Sequence, residues 1–506
     1  MLERSEQYAI HQINPVTAIH DGRGPADQHN QSPPIRIYHP MFAKYEAGLS
    51  SANVDKRDLE VTRELCTLLT RTDTGWENRR NILIRQVLTK FFGVPFQVVQ
   101  NDDQTVADGA YMIQIGSVDL PVIIVELKRW FGEGGSDPFI QAELIFLRYW
   151  AQESVRHISC WLVDVCLCIV QRCKFCYQSH CPTFLLAGTG ATFGVMGAVL
   201  TERVIAEHLS PIHVFMEQNA EQCSMMFLAA RSLCALRDCI QEVPEYWQQL
   251  ASRMSIHDSP AITSKHPRFF PYPSSYNDGS KTVHFRYIRR LEMDDICQTF
   301  LAKTDDKQVV VKFVSTYGVE VHEYLHRERY APELYYFDLL PGYPTNLLRP
   351  HLPPDIPYIK MYMVVMEYIP PRPYPSRDIL VLQLQDALAK LHEKGFVFGD
   401  LRPPNVLFDG ERVRLIDFNW AGRYNVDEEV RVPTDVQERI KAITNPSLSN
   451  TASLLPNIAF SHSSPSNTTY ARYPVFMSNT ISWPDGVGPR DYILPWHDLD
   501  MLTRLF

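Results

Sequence analysis

The chain has 506 residues, of which 45% are hydrophobic and 21% charged, and its formal net charge is −9. This composition is typical of a globular protein and leaves room for two or three domains, each large enough to bury a core. The negative charge and the lack of an acidic or basic tail argue against an overall nucleic-acid-binding surface, although a local basic patch could still contact phosphates.

The first 55 residues are polar and lack the basic-then-apolar pattern of a signal segment. We assign residues 1–55 to a partly irregular N-terminal extension. An uncharged run at 184–200 is rich in glycine and short for a membrane span, and two strands around a glycine turn explain it better. We therefore expect an intracellular protein, cytoplasmic or nuclear, with no signal peptide, no transmembrane segment and no membrane partner.

The first predicted domain contains a run of β-branched residues, 120–128, that predicts a central strand. Side chains alternate along a strand, so Glu126 and Lys128 fall on one face. Asp108 precedes a second predicted strand, 110–115, which could pair with the first and bring another carboxylate alongside. Such carboxylates can hold Mg²⁺, while the lysine orients the water that attacks a phosphodiester.

Two more polar side chains lie on predicted helices, one before these strands at 75–92 and one after them. The full set, in chain order, is Glu77, Asp108, Glu126, Lys128 and Gln141. This order resembles the restriction-endonuclease-like, PD-(D/E)xK superfamily. The resemblance implies a mixed sheet flanked by helices over residues 56–253, metal-dependent nuclease activity and a nucleic-acid partner. Because Glu-x-Lys is also common as an exposed ion pair, the nuclease is our alternative function.

Six of the eleven cysteines lie between residues 160 and 181. Cys173 and Cys176 have zinc-ligand spacing, but no second pair of ligands follows at regular spacing. We favour a cluster of reduced thiols in an inserted segment at about 158–181 and assign it no function. A predicted helix at 217–236 closes this domain, and a linker rich in Pro, Ser, His and Asn spans residues 254–281.

The second predicted domain, residues 282–506, begins with antiparallel strands. Its predicted elements are strands at 285–291, 298–302, 308–314 and 363–369 and helices at 317–327 and 386–394. Lys312 lies on the third of these strands. Two further short strands surround an Asp-Gly turn, and they place Asn405 and Asp417 at the open end of one hairpin.

The most informative stretch runs from Phe398 to Asn405, and Asp417 follows it after twelve residues. The order Asp400, Asn405, Asp417 resembles the protein-kinase-like superfamily, over about residues 281–425. The resemblance implies a bilobal fold with an abbreviated large lobe. It also implies that Asp400 orients or deprotonates the acceptor hydroxyl, while Asn405 and Asp417 hold Mg²⁺ at the phosphates.

In the small lobe, the same resemblance implies that Lys312 holds the α- and β-phosphates of ATP. Glu320 or Glu323, on the predicted helix after Lys312, would pair with it, and we favour Glu320. Glu367 and Tyr368 lie at the end of the last predicted small-lobe strand. The resemblance places them at the hinge whose backbone would bind adenine.

The sequence departs from the kinase pattern at several points. Residues 289–302 contain no glycine, so a close approach of this backbone to the phosphates is not guaranteed. Phe398-Gly399-Asp400 stands in place of His-Arg-Asp, nearer to the His-Gly-Asp of aminoglycoside and choline kinases. Asn419 replaces the glycine of Asp-Phe-Gly, and no Ala-Pro-Glu follows. The phosphoryl acceptor therefore stays open between a protein and a small-molecule hydroxyl.

The last part of the chain predicts little regular structure before its end. Residues 433–469 are rich in Ser, Thr and Asn and predict mostly loop. Residues 496–506 predict one amphipathic helix capped by Asp498. We interpret His497 and Asp498 as structural residues.

The predicted fold is α+β or α/β in two domains. A nuclease-like module joined to a kinase-like one resembles fungal, Crinkler-type proteins. Three functions compete: an ATP- and Mg²⁺-dependent phosphotransferase, which we favour; a metal-dependent nuclease with a degenerate kinase-like domain; and a catalytically inactive pseudokinase scaffold.

Overall fold

The structure is a computed structural model. It describes residues 8, 12–13, 18–23, 32–70, 77–101, 106–130, 137–151, 174–215, 223–254, 266–292, 297–343, 360–425, 432–443, 470–475, 477 and 481–505. The described residues fall into two compact units. Unit 1 lies within Met1–Ser274, Glu292–Cys297 and Pro341–Tyr358, and unit 2 lies within Ser275–Leu291, Gln298–Leu340 and Ile359–Phe506. No helix of these described ranges is long and apolar enough to cross a membrane.

Unit 1 combines one mixed sheet with helices. Its helices are α1 (Pro40–Ser51), α2 (Lys56–Thr70), α3 (Glu77–Phe92), α4 (Pro138–Ala151), α5 (Cys223–Ile240) and α6 (Val243–Arg253). Its strands are β1 (Gln97–Gln100), β2 (Val106–Ile115), β3 (Val118–Lys128), β4 (Thr183–Thr189), β5 (Thr192–Leu200), β6 (Val204–His208) and β7 (His213–Val214). The strand order is β1-β2-β3-β4-β5-β6, and β7 pairs with β5.

Strand β3 lies in the interior of this sheet. Its residues from Leu120 to Leu127 are all buried, which explains the nearly continuous apolar run in the sequence. It pairs in parallel with β4, and α4 lies between the two strands in the chain and packs on both. On its other side β3 pairs antiparallel with β2. The predicted central strand is therefore present.

Strand β2 begins earlier than the sequence predicted. We expected a strand from residue 110 with Asp108 in front of it, but the strand spans Val106–Ile115 and includes Asp108. Glycine inside a strand often marks a boundary or a close approach, and Gly109 is a case of the second kind. A Cβ added at Gly109 would lie 3.2 Å from Arg85 Cγ, so the glycine makes room for this side chain of α3.

Helix α1 lies in the segment that the sequence assigned to the N-terminal extension. Its Tyr45 hydroxyl lies 2.6 Å from Ser232 Oγ of α5. A Cβ added at Gly48 would lie 2.8 Å from the Cβ of Ala235, so glycine permits a close approach of the two helices. Helix α5 ends four residues later than the predicted helix at 217–236, and residues 217–222 of that prediction lie outside the described residues.

Strands β4 and β5 form the predicted hairpin around a glycine turn. The predicted linker, 254–281, contains two described elements. A 3-10 helix, Pro267–Phe269, belongs to unit 1, and a short strand, Ser275–Asn277, belongs to unit 2. Phe269 and Phe270 are buried, so apolar burial fixes the first of these elements within unit 1.

Unit 2 combines a small antiparallel sheet with helices and short hairpins. Its strands are β8 (Ser275–Asn277), β9 (Thr282–His284), β10 (Arg286–Arg290), β11 (Thr299–Lys303), β12 (Gln308–Val314), β13 (Leu334–Leu339), β14 (Tyr362–Glu367), β15 (Phe396–Val397), β16 (Val406–Phe408), β17 (Val413–Leu415) and β18 (Gly422–Arg423). Its helices are α7 (Val319–Arg327), α8 (Arg377–Glu393), α9 (Thr434–Ile443) and α10 (Pro495–Thr503), with a 3-10 turn at Pro403–Asn405.

The largest sheet of unit 2 has five antiparallel strands in the order β10-β11-β12-β14-β13. The predicted strands of this region are present, with ends that differ by a residue or two. Lys312 lies on β12, opposite Thr299 of β11 and Val364 of β14. Residues from Val309 to Val314 are all buried, so Lys312 is a buried lysine in the middle of the sheet.

Helix α9 lies at the start of the segment 433–469, which the sequence predicts to be mostly loop. Val436 and Ile440 lie one turn apart on its inner face, and both are buried in the same core as Leu499 and Leu502 of α10. The burial of two apolar residues at helical spacing therefore stabilises a helix here, although the composition of the segment is polar. Residues 444–469 lie outside the described residues.

Candidate active site

The loop between β15 and β16 holds the first candidate residues in a fixed arrangement. Asn405 Nδ2 donates hydrogen bonds to the Asp400 carbonyl oxygen at 2.9 Å and to Asp400 Oδ2 at 2.7 Å. Arg402 donates two hydrogen bonds to the same carboxylate, from Nε to Oδ1 at 2.6 Å and from Nη2 to Oδ2 at 3.1 Å. A two-pronged contact of this kind fixes both the position and the orientation of the Asp400 carboxylate.

The Asp400 carboxylate is only 3% exposed. Burial raises its pKa to about 6, and the negative charge of Asp417 adds to the rise, although the contacts with Arg402 and Asn405 lower it. A carboxylate with a pKa near 6 is ionised at neutral pH, yet it is basic enough to take a proton from a reacting hydroxyl. Arg402 did not stand out in the sequence, and its position two residues after Asp400 is the signal that could have identified it.

Asp417 lies just after β17, and the backbone of the residue before it is hydrogen-bonded to this loop. Its φ of +68° is unusual for a residue other than glycine. Just before it, the Ile416 N–H donates to the Asn405 carbonyl at 3.0 Å. Lys312 Nζ lies 2.7 Å from Asp417 Oδ1. The structure therefore brings Lys312, Asn405 and Asp417, together with Asp400, into one site.

The predicted ion pair between Lys312 and Glu320 is not formed. Glu320 instead accepts a hydrogen bond from Arg423 Nη2 at 2.8 Å, and both side chains are largely exposed. Glu323, the other candidate, is exposed as well. The acid partner of Lys312 in this structure is Asp417.

The orientation of α7 explains this difference. His322 is fully buried and stacks on Phe418, with ring centroids 4.4 Å apart and planes 10° apart. An α-helix turns about 100° per residue, so Glu320 points to the opposite side from His322. The position one turn before His322 is Gly318, where an added Cβ would lie 2.4 Å from the Ala421 carbonyl oxygen. The face of α7 that meets Phe418 therefore has no room for an acid.

His322 is part of a hydrogen-bonded chain that supports Phe418. Burial lowers the pKa of His322 to about 4, so the ring is neutral at pH 7. Its Nε2 lies 2.9 Å from the Pro332 carbonyl and must donate there, which leaves Nδ1 to accept from the Tyr317 hydroxyl at 2.7 Å. In addition, the Gly318 N–H donates to the Phe418 carbonyl at 2.8 Å. These contacts fix the residue that follows Asp417.

Asp498 has a role that the sequence did not reveal. We predicted it as a helix cap, but it lies inside α10, whose N-cap is Leu494. Its side chain is fully buried and accepts hydrogen bonds from Phe398 N at 2.9 Å and Gly399 N at 2.7 Å. A third contact, at 3.0 Å, joins it to His392 Nε2. Asp498 therefore fixes the backbone immediately before Asp400.

Glu367 and Tyr368 lie where β14 ends. The Glu367 N–H donates to the Glu333 carbonyl at 2.8 Å, and the Glu333 N–H donates to Glu367 Oε2 at 3.1 Å. Tyr368 packs at the edge of an apolar cluster that includes Val310 and Met366. These contacts fix the end of the strand, and the part of both residues in binding adenine stays a prediction.

In unit 1, the structure brings together two of the five candidate nuclease residues. Asp108 Oδ2 accepts from Leu127 N at 2.9 Å, and Glu126 Oε1 accepts from Asp108 N at 3.1 Å. Asp108 Oδ1 also accepts from Asn81 Nδ2 of α3 at 2.9 Å. Glu126 is 1% exposed. Each of the two carboxylates therefore accepts a hydrogen bond from the backbone of the neighbouring strand.

The other three candidates of unit 1 have no contact with Asp108 or Glu126 among the contacts described above. Lys128 is half-buried and lies two residues beyond Glu126, on the same face of β3. Gln141 lies on α4, and its Oε1 is buried without a hydrogen-bond partner. Glu77 is the first residue of α3, and its side chain lies outside the described residues.

Within the described ranges, no three His, Cys, Asp or Glu side chains form a group that could hold a metal ion. This finding covers the neighbourhood of Asp108 and Glu126 as well as that of Asp400 and Asp417. It also covers the described part of the cysteine-rich segment. Cys176 and Cys181 are buried free thiols, whereas Cys160, Cys166, Cys168 and Cys173 lie outside the described residues.

Comparisons with known proteins add little to this geometry. No protein-family model matches the chain, and no curated protein matches it significantly. One similar solved structure is the Cydia pomonella granulovirus kinase PK-1, with 16% identity and a TM-score of 0.21 over 31% of this chain and 62% of that chain. Another is vaccinia related kinase 3, with 16% identity and a TM-score of 0.22 over 38% of this chain and 62% of that chain.

Both solved structures are kinases. The chain spans less than two thirds of the length of either one. TM-scores at this level establish neither a shared fold nor a shared function.

Proposed function

We propose that the protein is an ATP- and Mg²⁺-dependent phosphotransferase whose catalytic site lies in unit 2. The main support for the proposal is that four side chains from three separate segments of unit 2 lie close together. They are Lys312, Asp400, Asn405 and Asp417. A buried cation, a basic carboxylate and two oxygen ligands are the groups that phosphoryl transfer needs.

The small sheet supports the same proposal. Lys312 lies on the middle strand of five, buried among apolar residues, and its amine extends to Asp417. A lysine held in this way can exchange its contact with Asp417 for the phosphate oxygens of a nucleotide. Because the Lys312 side chain is only 8% exposed, its charge is poorly screened by water and attracts an anion strongly.

Asp417 and Asn405 fit Mg²⁺ as ligands. Asn405 uses its Nδ2 to bind Asp400, which leaves the amide oxygen as an acceptor for a cation. Mg²⁺ prefers oxygen ligands and is usually bound by one or two protein carboxylates together with substrate phosphates. A larger cluster of acids is therefore not required. When bound there, the metal would neutralise negative charge on the phosphates.

Asp400 would act on the acceptor. Its Oδ2 accepts hydrogen bonds from both Arg402 and Asn405, whereas Oδ1 accepts one from Arg402 Nε and keeps a lone pair for the hydroxyl of an acceptor. The hydroxyl proton would pass to Asp400 as the acceptor oxygen bonds to phosphorus. Arg402 stays beside the carboxylate and holds it in place. The acceptor itself is either a protein or a small-molecule hydroxyl.

The test is nucleotide binding measured by thermal shift. We expect ATP and Mg²⁺ together to raise the melting temperature of unit 2 by about 5–11 °C, because a ligand at about a hundredfold its Kd adds about 2.7 kcal/mol. The Lys312→Ala variant should lose this shift. Lys303→Ala, which changes an exposed lysine of the neighbouring strand, should keep it.

Two results would contradict this proposal. If the wild type shows no shift with ATP and Mg²⁺, unit 2 does not bind nucleotide. If Lys303→Ala and Lys312→Ala lose the shift equally, Lys312 has no special part in it. A shift without measurable ATP turnover would support the pseudokinase alternative.

A second candidate function is supported by the arrangement of unit 1. We propose that Asp108, Glu126 and Lys128 form a metal-dependent nuclease site as an alternative function. The supporting observation is that Asp108 and Glu126 lie directly across from each other at the end of β3, where a parallel strand follows after α4.

This candidate is tested by nucleic-acid cleavage. With DNA and RNA substrates and either Mg²⁺ or Mn²⁺, Glu126→Gln should lower the cleavage rate by about 10²-fold or more, since it removes a metal ligand. Asp119→Asn, an exposed residue of the same strand, should leave the rate unchanged. Equal rates in all three proteins would point to a contaminating nuclease.

A further inference from the structure

Two cysteines of unit 1 lie side by side in the short segment before β4. Cys176 is 7% exposed and Cys181 is fully buried. Neither forms a disulfide, and the Cys181 thiol lies close enough to Cys176 to change its acidity. The proposed phosphotransferase site lies in unit 2 and does not use these thiols.

Arg268 provides the positive charge next to this pair. Its Nη1 donates to the Cys176 carbonyl oxygen at 2.7 Å and to Cys176 Sγ at 3.2 Å. Arg268 is itself buried, at 8% exposure. A buried guanidinium requires a negative partner. Of the groups that contact Arg268 within the described residues, the Cys176 sulfur is the one that can become an anion.

The two thiols differ in acidity. The hydrogen bond from Cys181 lowers the pKa of Cys176 to about 7, and Arg268 adds to this effect against the influence of burial. Burial raises the pKa of Cys181 well above its usual value. Cys176 is therefore the nucleophile of the pair, because the thiolate is the reactive form of cysteine.

The backbone holds Cys181 in a strained conformation. Its φ is +49°, a region that residues other than glycine rarely adopt. The Cys181 N–H donates to Ser179 Oγ at 3.1 Å, and that hydroxyl donates to the Phe175 carbonyl at 2.9 Å. Strain of this kind is found where the surrounding structure requires a specific side-chain position. Here it belongs to the turn that holds the Cys181 thiol, whose Sγ lies 3.7 Å from the Ser179 hydroxyl.

We propose that Cys176 and Cys181 form an oxidisable dithiol, which hydroperoxides convert into a disulfide. The Cys176 thiolate attacks one oxygen of the hydroperoxide, the O–O bond breaks, and an alcohol or water leaves. This gives a sulfenic acid on Cys176. The Cys181 sulfur then attacks the Cys176 sulfur, and water is released. Two thiols are oxidised by two electrons, and the hydroperoxide is reduced by two.

Burial selects the oxidant. With 7% of Cys176 exposed and Cys181 enclosed, a small hydroperoxide can reach the sulfur, whereas a peptide disulfide such as oxidised glutathione cannot. Oxidation also removes the negative partner of Arg268. The guanidinium then stays buried without a counter-charge, so the oxidised protein is less stable than the reduced one.

The test uses hydrogen peroxide on the full-length reduced protein, followed by alkylation, tryptic digestion and mass spectrometry. Trypsin cuts after Lys174 and Arg203, so one peptide, 175–203, carries Cys176 and Cys181 and no other cysteine. We expect this peptide to lose two hydrogen atoms on treatment and to regain them with a dithiol reductant. Oxidised glutathione in place of peroxide should leave it unchanged.

Internal controls come from Cys234 and Cys239 of α5. They are buried to a similar extent, but burial raises the pKa of each to about 12. Their thiolate fraction at pH 7 is therefore much smaller, and this loss outweighs the greater intrinsic nucleophilicity of a high-pKa thiolate. We expect Cys176 to react at least about tenfold faster than either.

The Cys181→Ser variant separates the two steps. It should stop at the sulfenic acid of Cys176, which a sulfenic-acid reagent such as dimedone labels on peptide 175–203. The proposal is overturned if Cys176 stays reduced, if it reacts no faster than Cys234, or if it forms a disulfide with a cysteine other than Cys181. Absence of the dimedone label in Cys181→Ser would overturn it as well.

Discussion

Replacing Asp417 by asparagine is expected to lower Mg²⁺-dependent ATP turnover by about 10³-fold or more, equivalent to about 4 kcal/mol of transition-state stabilisation. The carboxylate would hold Mg²⁺, and it also positions Lys312, whose amine lies 2.7 Å away. Asparagine keeps the shape of the side chain but loses the charge that both partners need. Some stability is lost too, about 1–3 kcal/mol, because Lys312 is left without its acid.

Asp409 offers a matched control for this experiment. It lies on the same hairpin and pairs with Arg414 Nε at 2.7 Å, the same distance as in the Lys312 pair, and its side chain has the same 22% exposure as that of Asp417. Asp409→Asn should therefore cost similar stability and keep turnover within about threefold of the wild type. A coupled assay of ADP release measures the rates, and urea unfolding measures the stability. Full turnover in Asp417→Asn, or an equal loss in both variants, would contradict the assignment.

Replacing Asp498 by alanine is expected to lower the free energy of unfolding of unit 2 by about 3–5 kcal/mol. The side chain is fully buried and accepts hydrogen bonds from Phe398 N, Gly399 N and His392 Nε2. Alanine would leave two backbone N–H groups without an acceptor in a place that water does not reach, and each such loss is costly. Asparagine should have an intermediate effect, because its oxygen can replace part of the carboxylate.

Urea unfolding of Asp498→Ala and Asp498→Asn tests this expectation, with Asp485→Ala as the control. Asp485 is 53% exposed and pairs with Arg439 and Arg504 near α10. Exposed ion pairs contribute little, so its loss should cost about 1 kcal/mol or less. If Asp498→Ala and Asp485→Ala have the same effect on stability, Asp498 does not support the loop before Asp400.

The elements near the candidate site could be predicted well where the signal is local. Asp400, Asn405 and Asp417 lie within eighteen residues of one another, and a loop followed by a hairpin is enough to bring them together. Lys312 was identified through the resemblance of its strand to the lysine-bearing strand of the kinase-like superfamily. These features depend on short-range periodicity and turn chemistry.

The predictions that were wrong depend on contacts between residues far apart in the chain, which a single sequence does not show. Both Glu320 and Glu323 were reasonable partners for Lys312, because the rotation of α7 about its axis is set by the stacking of His322 on Phe418, almost a hundred residues later. Asp498 was assigned to a cap from its place at a helix start, whereas its actual partners lie about a hundred residues earlier. In unit 1, the strand was predicted to begin only at residue 110, and the packing of Arg85 of α3 against Gly109 is a long-range contact that the sequence does not show.

The bond between Asp498 and the loop before Asp400 also determines when the site can form as the chain is made. The two segments are 99–100 residues apart in sequence. At about 5–20 residues per second, a ribosome needs on the order of 5–20 s to synthesise the intervening stretch. For most of that interval the nascent chain already carries Asp400, Asn405 and Asp417, but the backbone of Phe398 and Gly399 lacks its acceptor. Newly made protein therefore passes through a period in which the site residues are present and the site is not.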